Sequence, residues 1–249
     1  AHVTVVEGAS VIADKIAVLT TSRDAATSSP EESALTLLSM TSSVEELSRS
    51  HDLAWLRLWQ RFHIDVEAGG PVEVATLRLY AYHLIISMYG VGAGNLDAGV
   101  PARGLHGEAY RGHIFWDELF IFPILNLRLP WVCRALLRYR IRRLDAARAA
   151  AVDAGLEGAL FPWQSGSDGS EQTPRVHLNP DSGRWLPDVT HLQRHVGLAI
   201  AYNVMHYFQV SGDYTFLEQE GAEIILEITR CFASLTTFDA DKGRFVING

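Results

Sequence analysis

Two long stretches, residues 91–112 and 159–189, interrupt this chain where a compact helical protein needs only short turns. The first, VGAGNLDAGVPARGLHGEAYRG, holds six glycines; the second, ALFPWQSGSDGSEQTPRVHLNPDSGRWLPDV, is rich in Gly, Ser and Pro. Structureless connections of that length are uncommon in compact domains and are usually functional. Whatever fold the chain adopts must therefore carry two large loops on a scaffold built from the segments around them.

Those segments read mainly as helices. Ser29-Pro30-Glu31-Glu32 supplies an N-cap, a proline in the first turn and two acids beside it. Ser42-Ser43 followed by Glu45 and Glu46 opens a longer helix, whose Leu47, Leu53, Leu56, Trp59 and Phe62 keep helical spacing. After Gly69-Gly70-Pro71, VEVATLRLYAYHLIISMYG (residues 72–90) is apolar nearly all round, the pattern of a helix buried on most sides. The spacing predicts further helices over 116–129, 131–154, 191–210 and 214–235, the last two joined by Ser211-Gly212-Asp213. Only residues 2–24 read as β, two strands with a turn at Gly8. No fixed internal period appears, which argues against a solenoid. An α/α toroid, in which helix pairs close into a ring and loops line one end, suits the pattern better.

Composition narrows the function classes. A formal net charge of -8, with both signs mixed along most of the chain, argues against nucleic acid as the main partner. The arginine-rich run RALLRYRIRRLDAAR (residues 134–148) reads as a solvated helix face, with a patch for phosphate or an acidic partner as the alternative. The longest apolar stretch, 114–130, contains Asp117, Glu118, Asn126 and Arg128 and cannot span a bilayer. Cys133 and Cys231 lie far apart in apolar surroundings, which suggests reduced thiols and a cytoplasmic protein. The histidines show no metal-ligand spacing, so neither a metal nor an organic cofactor is expected.

Sugar sites combine aromatic faces, which stack on a pyranose, with carboxylates, Arg or His that bond its hydroxyls. Both loops have that composition. The first leads into Arg111, His113, Trp116, Asp117 and Glu118 and also holds Glu108; the second holds Trp163, Gln164, Asp168 and Glu171. Asp117 and Glu118 sit inside YRGHIFWDELFIFP, and burying a carboxylate there costs several kcal/mol unless it is paired. The bland alternative is that Asp117 caps the following helix and pairs with Arg111.

PARGLHGEAYRGHIFWDELFIFP (residues 101–123) resembles the RGL-x-GE-x-YRGH-x-FWD-x-E-x-F-x-x-P signature of glycoside hydrolase family 65, which includes maltose, trehalose and kojibiose phosphorylases and related hydrolases. Residues 51–69 resemble that family's linker helix, 160–174 its PWQSG-x-x-G-x-E loop, and 188–235 its helix pair with a TGD-x-x-FL turn. FWDEL departs from the usual FWD-x-E, so Asp117 is matched while Glu118 is shifted by one. The resemblance implies a mainly α fold: a partial (α/α)6 toroid over 67–249, preceded by linker helices over 24–66 and the last strands of a β-sandwich over 1–23. It implies an inverting α-glucoside phosphorylase that takes an α-linked disaccharide, with inorganic phosphate as co-substrate, and that forms a homodimer at full length. Trp116, Asp117, Arg111, His113, Trp163 and Glu171 are the substrate-binding residues so implied. The family's catalytic acid, a Glu in a GPDEYH-type motif, is expected beyond Gly249, which leaves the isolated chain without activity. An inverting hydrolase on the same scaffold and a non-catalytic carbohydrate-binding helical module are the alternatives.

Overall fold

The computed structural model describes residues 2–41, 43–64, 66–67, 69–94, 96–104 and 110–247. His106 and Glu108 lie outside the described residues. The chain divides into two compact units, residues 1–64 and 65–249.

The first unit carries α1 (Pro30–Met40) and α2 (Val44–Phe62). Both begin as their caps dictate: the Ser29 and Ser43 side chains accept from the backbone N–H of Glu32 and Glu46. Residues 2–23, expected as two strands, contain none. Alternating Val and Ile mark a strand only where a neighbouring backbone completes the ladder, and no such partner lies among the described residues of this unit.

Among the described residues the second unit is helical, with two small hairpins. Its helices are α3 (Pro71–Gly94), α4 (Glu118–Arg128), α5 (Pro130–Ile141), α6 (Leu144–Asp153), α7 (His195–Ser211), the single turn α8 (Tyr214–Phe216) and α9 (Ala222–Ser234). A π turn over Leu217–Gly221 joins α8 to α9, so they read as one bulged helix. α4 packs on α5 and α7, α5 also on α3 and α7, and α9 on α6 and α7. The core lies where these faces meet: Phe122 and Leu125 of α4, Leu136 and Leu137 of α5, Val196, Ile200 and Val204 of α7 and Ile224 of α9 are all buried. Each such side chain contributes about 1.5–3 kcal/mol. Helix pairs packed in this way form part of an α/α toroid. Among the described residues no helix is long and apolar enough to cross a membrane.

Three local expectations need correction. α3 is not buried on most sides: Ala81, Ile85, Met88 and Val91 are buried against one direction, while Val72, Leu79 and Tyr80 are exposed. An all-apolar helix buries only as many faces as it has neighbours, and α3 packs chiefly on α5. The single helix predicted over 131–154 is broken at Arg142–Arg143. There the Arg143 side chain donates to the Tyr139 carbonyl at 2.8 Å, the acceptor its own backbone N–H would use, and that N–H turns instead to Arg140 at 3.1 Å. Strands appear where loop or chain end was expected. β1 (Val176–Leu178) pairs antiparallel with β2 (Trp185–Pro187), and β3 (Thr236–Asp239) with β4 (Arg244–Ile247).

The arginine run is not a solvated face. Arg138 bonds Glu220 through Nε (2.8 Å) and Nη2 (2.6 Å), and Arg134 reaches Asp213 at 3.2 Å. Arg143 holds Asp97 through its two terminal guanidinium nitrogens, and Arg140 is fully buried. Internal carboxylates take up the charge that sequence spacing assigned to solvent.

Candidate functional site

The two long loops meet through their backbones. Ile114 and Ser165 exchange both N–H···O bonds (3.1 and 2.9 Å), and the ladder extends to Pro101 on one side and Glu171 on the other. This short ladder sets Phe115–Asp117 beside Trp163–Gln164. The ring of Trp163 lies 6.4 Å from Trp116 and 5.6 Å from Phe115. His195, the first residue of α7, stands edge-on to Trp116 at 4.7 Å and against Trp163 at 5.0 Å.

In front of these rings opens a cavity of about 600 Å³, lined by Tyr110, Arg111, Phe115, Trp116, Asp117, Trp163 and Gln164, with Gln172, Thr173, Asp188 and Thr190 across from them. That volume is ample for a sugar of one or two rings. Trp116 and Trp163 therefore share one face of the helical layer, as the toroid reading required.

Asp117 has neither of the roles that would make it structural. It precedes α4 in a helical conformation, and its side chain makes no capping bond. Among the described residues no other group pairs with its carboxylate, so the pairing with Arg111 is not made. Half-buried beside the rings, the carboxyl is pushed above the ordinary carboxylate range by desolvation, against the pull of its own backbone N–H. An acceptor at a cavity wall that no other described residue engages is available to a ligand hydroxyl.

Arg111 reaches the cavity through backbone strain. Tyr110 and Arg111 take φ of 57° and 54°, and Gly112 follows at 69°. The left-handed region costs a non-glycine residue about 1–2 kcal/mol, and such strain is typically found at functional sites. The Arg111 guanidinium is exposed at the cavity wall and carries no ion pair among the described residues.

The other expected residues stand back from the cavity. The Nδ1 atom of His113 is 2.7 Å from Nε2 of Gln164, so the histidine fixes the amide that lines the wall. Glu171 accepts from the backbone N–H groups of Trp163 (2.7 Å), Gln164 (3.2 Å) and Thr173 (2.9 Å) and from the Thr173 hydroxyl (2.6 Å). Its oxygens are thus occupied in shaping the loop that carries Trp163. Glu118, one residue past Asp117, faces the core, where Arg140 Nε bonds it at 3.3 Å. Burial pushes its carboxyl up; the Arg140 charge opposes this, and Asp117 adds to it.

Sequence reasoning missed Asp188 and Thr190. They stand just after the β1–β2 hairpin, and Thr190 donates to Asp188 through its N–H (2.9 Å) and hydroxyl (2.6 Å). The Thr190 hydroxyl first, then its N–H, hold the Asp188 carboxyl below its usual range. An Asp-x-Thr after a strand is the only local signal, and turns of that kind are common.

The profile of the Glycosyl hydrolase family 65 central catalytic domain matches residues 78–249, which include every residue of this cavity. The chain belongs to glycosyl hydrolase family 65. It is 51% identical over its whole length to an uncharacterized glycosyl hydrolase of Mycobacterium tuberculosis, of which it covers 18%. It is 39% identical over 95% of its length to the trehalose 6-phosphate phosphorylase of Lactococcus lactis, covering 30% of that protein. With the kojibiose phosphorylase of Halothermothrix orenii it shares 36% identity over 87% of its length, covering 28%. A solved structure provisionally named a kojibiose phosphorylase from human microbiome superposes over 88% of this chain and 28% of that one, with a TM-score of 0.73 at 22% identity; that likeness concerns the fold. The family 65 chain described here thus spans less than a third of the length of each of these proteins.

Proposed function

We propose that this chain forms the glucose-holding part of the active site of a cytoplasmic, inverting α-glucoside phosphorylase. Trp116 and Trp163 pack along the apolar face of the non-reducing glucose, Asp117 accepts from one of its hydroxyls, and Arg111 borders the anion side of the cavity. The supporting observation is Asp117, a half-buried carboxylate among aromatic rings that no other described residue pairs with. Inverting hydrolysis needs an acid and a base about 6.5–9.5 Å apart, whereas in phosphorolysis phosphate is the nucleophile and one acid suffices. We assign that acid to a residue outside this chain.

The test uses the intact protein that contains this chain, with kojibiose, trehalose and trehalose 6-phosphate as substrates. Phosphate-dependent release of β-glucose 1-phosphate from an α-linked disaccharide is the expected result. Turnover to glucose at the same rate without phosphate would assign the scaffold to a hydrolase. No binding of any glucoside would leave a helical module without this site.

A further inference from the structure

The last turn of α5 reaches both loops of the cavity through consecutive residues. Arg140 is 1% exposed; its Nη2 donates to the Phe115 carbonyl at 2.5 Å and its Nε to Glu118 at 3.3 Å. It thereby grips both ends of the four-residue segment whose middle is Trp116 and Asp117. The neighbouring Tyr139 points its hydroxyl at the other loop, 2.8 Å from Ser165 Oγ and 2.6 Å from the Gly166 carbonyl. One turn on, Arg143 donates to the Ser167 carbonyl through Nε at 3.0 Å and stacks over the Tyr139 ring, 3.7 Å from guanidinium carbon to centroid.

We propose that this turn is a positioning device: Arg140 and Tyr139, neither lining the cavity, set the spacing between the Trp116 and Trp163 rings. The bonds fit that role better than one of general stability. Arg140 Nη2, Tyr139 Oη and Arg143 Nε each donate to a backbone carbonyl of a site-bearing loop. These loops have no regular ladder beyond a few residues and so need outside donors to keep a shape. Arg138 provides the contrast. It lies on the same helix, with comparably strong charge-assisted bonds, and all of them go to Glu220, away from the loops. A turn that only held helices together would have no cause to place two donors in succession on two different loops. A 1 Å misplacement of groups that orient a substrate can cost about 100-fold in rate, so the spacing is a quantity such a device would set.

The consequence for sugar binding rests on the function proposed above; the geometric part does not. In the intact protein labelled with 5-fluorotryptophan, the ¹⁹F resonances of Trp116 and Trp163 are assigned from single Trp→Phe variants. Tyr139→Phe keeps the ring beneath Arg143 and removes only the hydroxyl. It is expected to shift or broaden the Trp163 resonance and to weaken D-glucose binding by about tenfold. Arg140→Lys is expected to do the same at Trp116, while Arg138→Gln lowers stability and leaves both resonances and glucose affinity as they were. Resonances unmoved in Tyr139→Phe and in folded Arg140→Lys would overturn the proposal, as would equal movement in Arg138→Gln. Resonances that move in a protein whose wild type binds no glucose would uphold the positioning device and remove the sugar reading.

Discussion

Replacing Asp117 by Asn tests whether this carboxylate serves a ligand or the fold. The side chain keeps its shape and one carbonyl oxygen, and it loses the charge. Asp117 makes no capping bond, and no other described residue pairs with that charge. Asp and Asn also cap helices about equally well, so even a hidden capping role would be preserved. The effect on stability is therefore near zero, with a slight gain above the raised carboxyl pKa. The sign follows from linkage. A carboxyl whose folded pKa is raised by burial binds protons more readily when folded, so its charge destabilises as pH rises through the unfolded value and fully above the folded one. Ligand binding should respond in the opposite sense. A hydrogen bond to a charged acceptor is worth about 1.5–3 kcal/mol and one to a neutral acceptor about 0.5–1.5. The difference, about 1–2 kcal/mol, is roughly 5- to 30-fold in kcat/KM, and more where the bond tightens towards an oxocarbenium-like transition state. Steady-state kinetics of the intact enzyme from acid to neutral pH, with thermal unfolding alongside, provides the assay. Wild type should lose kcat/KM as pH falls through a value above the ordinary carboxylate range, and the Asn variant should lack that limb. Kinetics within a factor of two of wild type at neutral pH would refute the ligand role. A fall in stability of 1 kcal/mol or more would show instead that the fold uses the charge.

Glu220→Gln should lower stability by about 1–3 kcal/mol by leaving Arg138 without its charged partner. Because the Arg138 bond holds Glu220 below its usual range, that stability is present above the unfolded carboxylate value and lost as pH falls through the folded one. Urea unfolding between pH 3 and 7 should therefore show a flatter acid limb in the variant. Gly158→Ala should cost several kcal/mol, because at φ 68° its Cβ would lie 2.1 Å from the Glu227 carbonyl oxygen of α9. Gly183→Ala, with a similar φ but open space around it, should lose only about 1–2 kcal/mol in the same denaturation series. Cys133, whose thiol is pushed well up by burial and then by the Glu118 charge, should react with a disulfide reagent only after unfolding; reaction in the native state would contradict the packing of α4 on α5.

What could be read from sequence follows a physical division between local and distant causes. Helix starts were legible at Ser29 and Ser43 because an N-cap and its acceptor geometry lie within four residues. The turn after α7 was legible for the same reason: Gly212 takes φ 67° and Asp213 accepts from the Phe216 N–H. The break at Arg142–Arg143 was not, since it depends on where one arginine side chain finds an acceptor. Residues 2–23 show the converse, a strand pattern with no partner among the described residues of its unit. In the site, Trp116, Asp117 and Trp163 could be singled out by residue type, whereas Asp188 and Thr190 come to the cavity only through the β1–β2 hairpin.

Glu118 and Arg140 mark the boundary between the two kinds of cause. Each occupies an apolar stripe: Glu118 shares its face with buried Phe122, Leu125 and Leu129, and Arg140 shares its own with Val132 and Leu136. Helical spacing alone thus brings a carboxylate and a guanidinium towards a core, where neither can remain unpaired without a cost of several kcal/mol. Opposite charges in the buried stripes of neighbouring helices form a readable signal, and they predict each other. FWDEL follows from this. Asp117 and Glu118 are adjacent, so the helix start turns them in different directions: Glu118 inward to Arg140, Asp117 to the cavity. The carboxylate paired with Arg140 belongs to the fold, and the one that no other described residue pairs with faces the cavity, where the proposed function gives it a ligand.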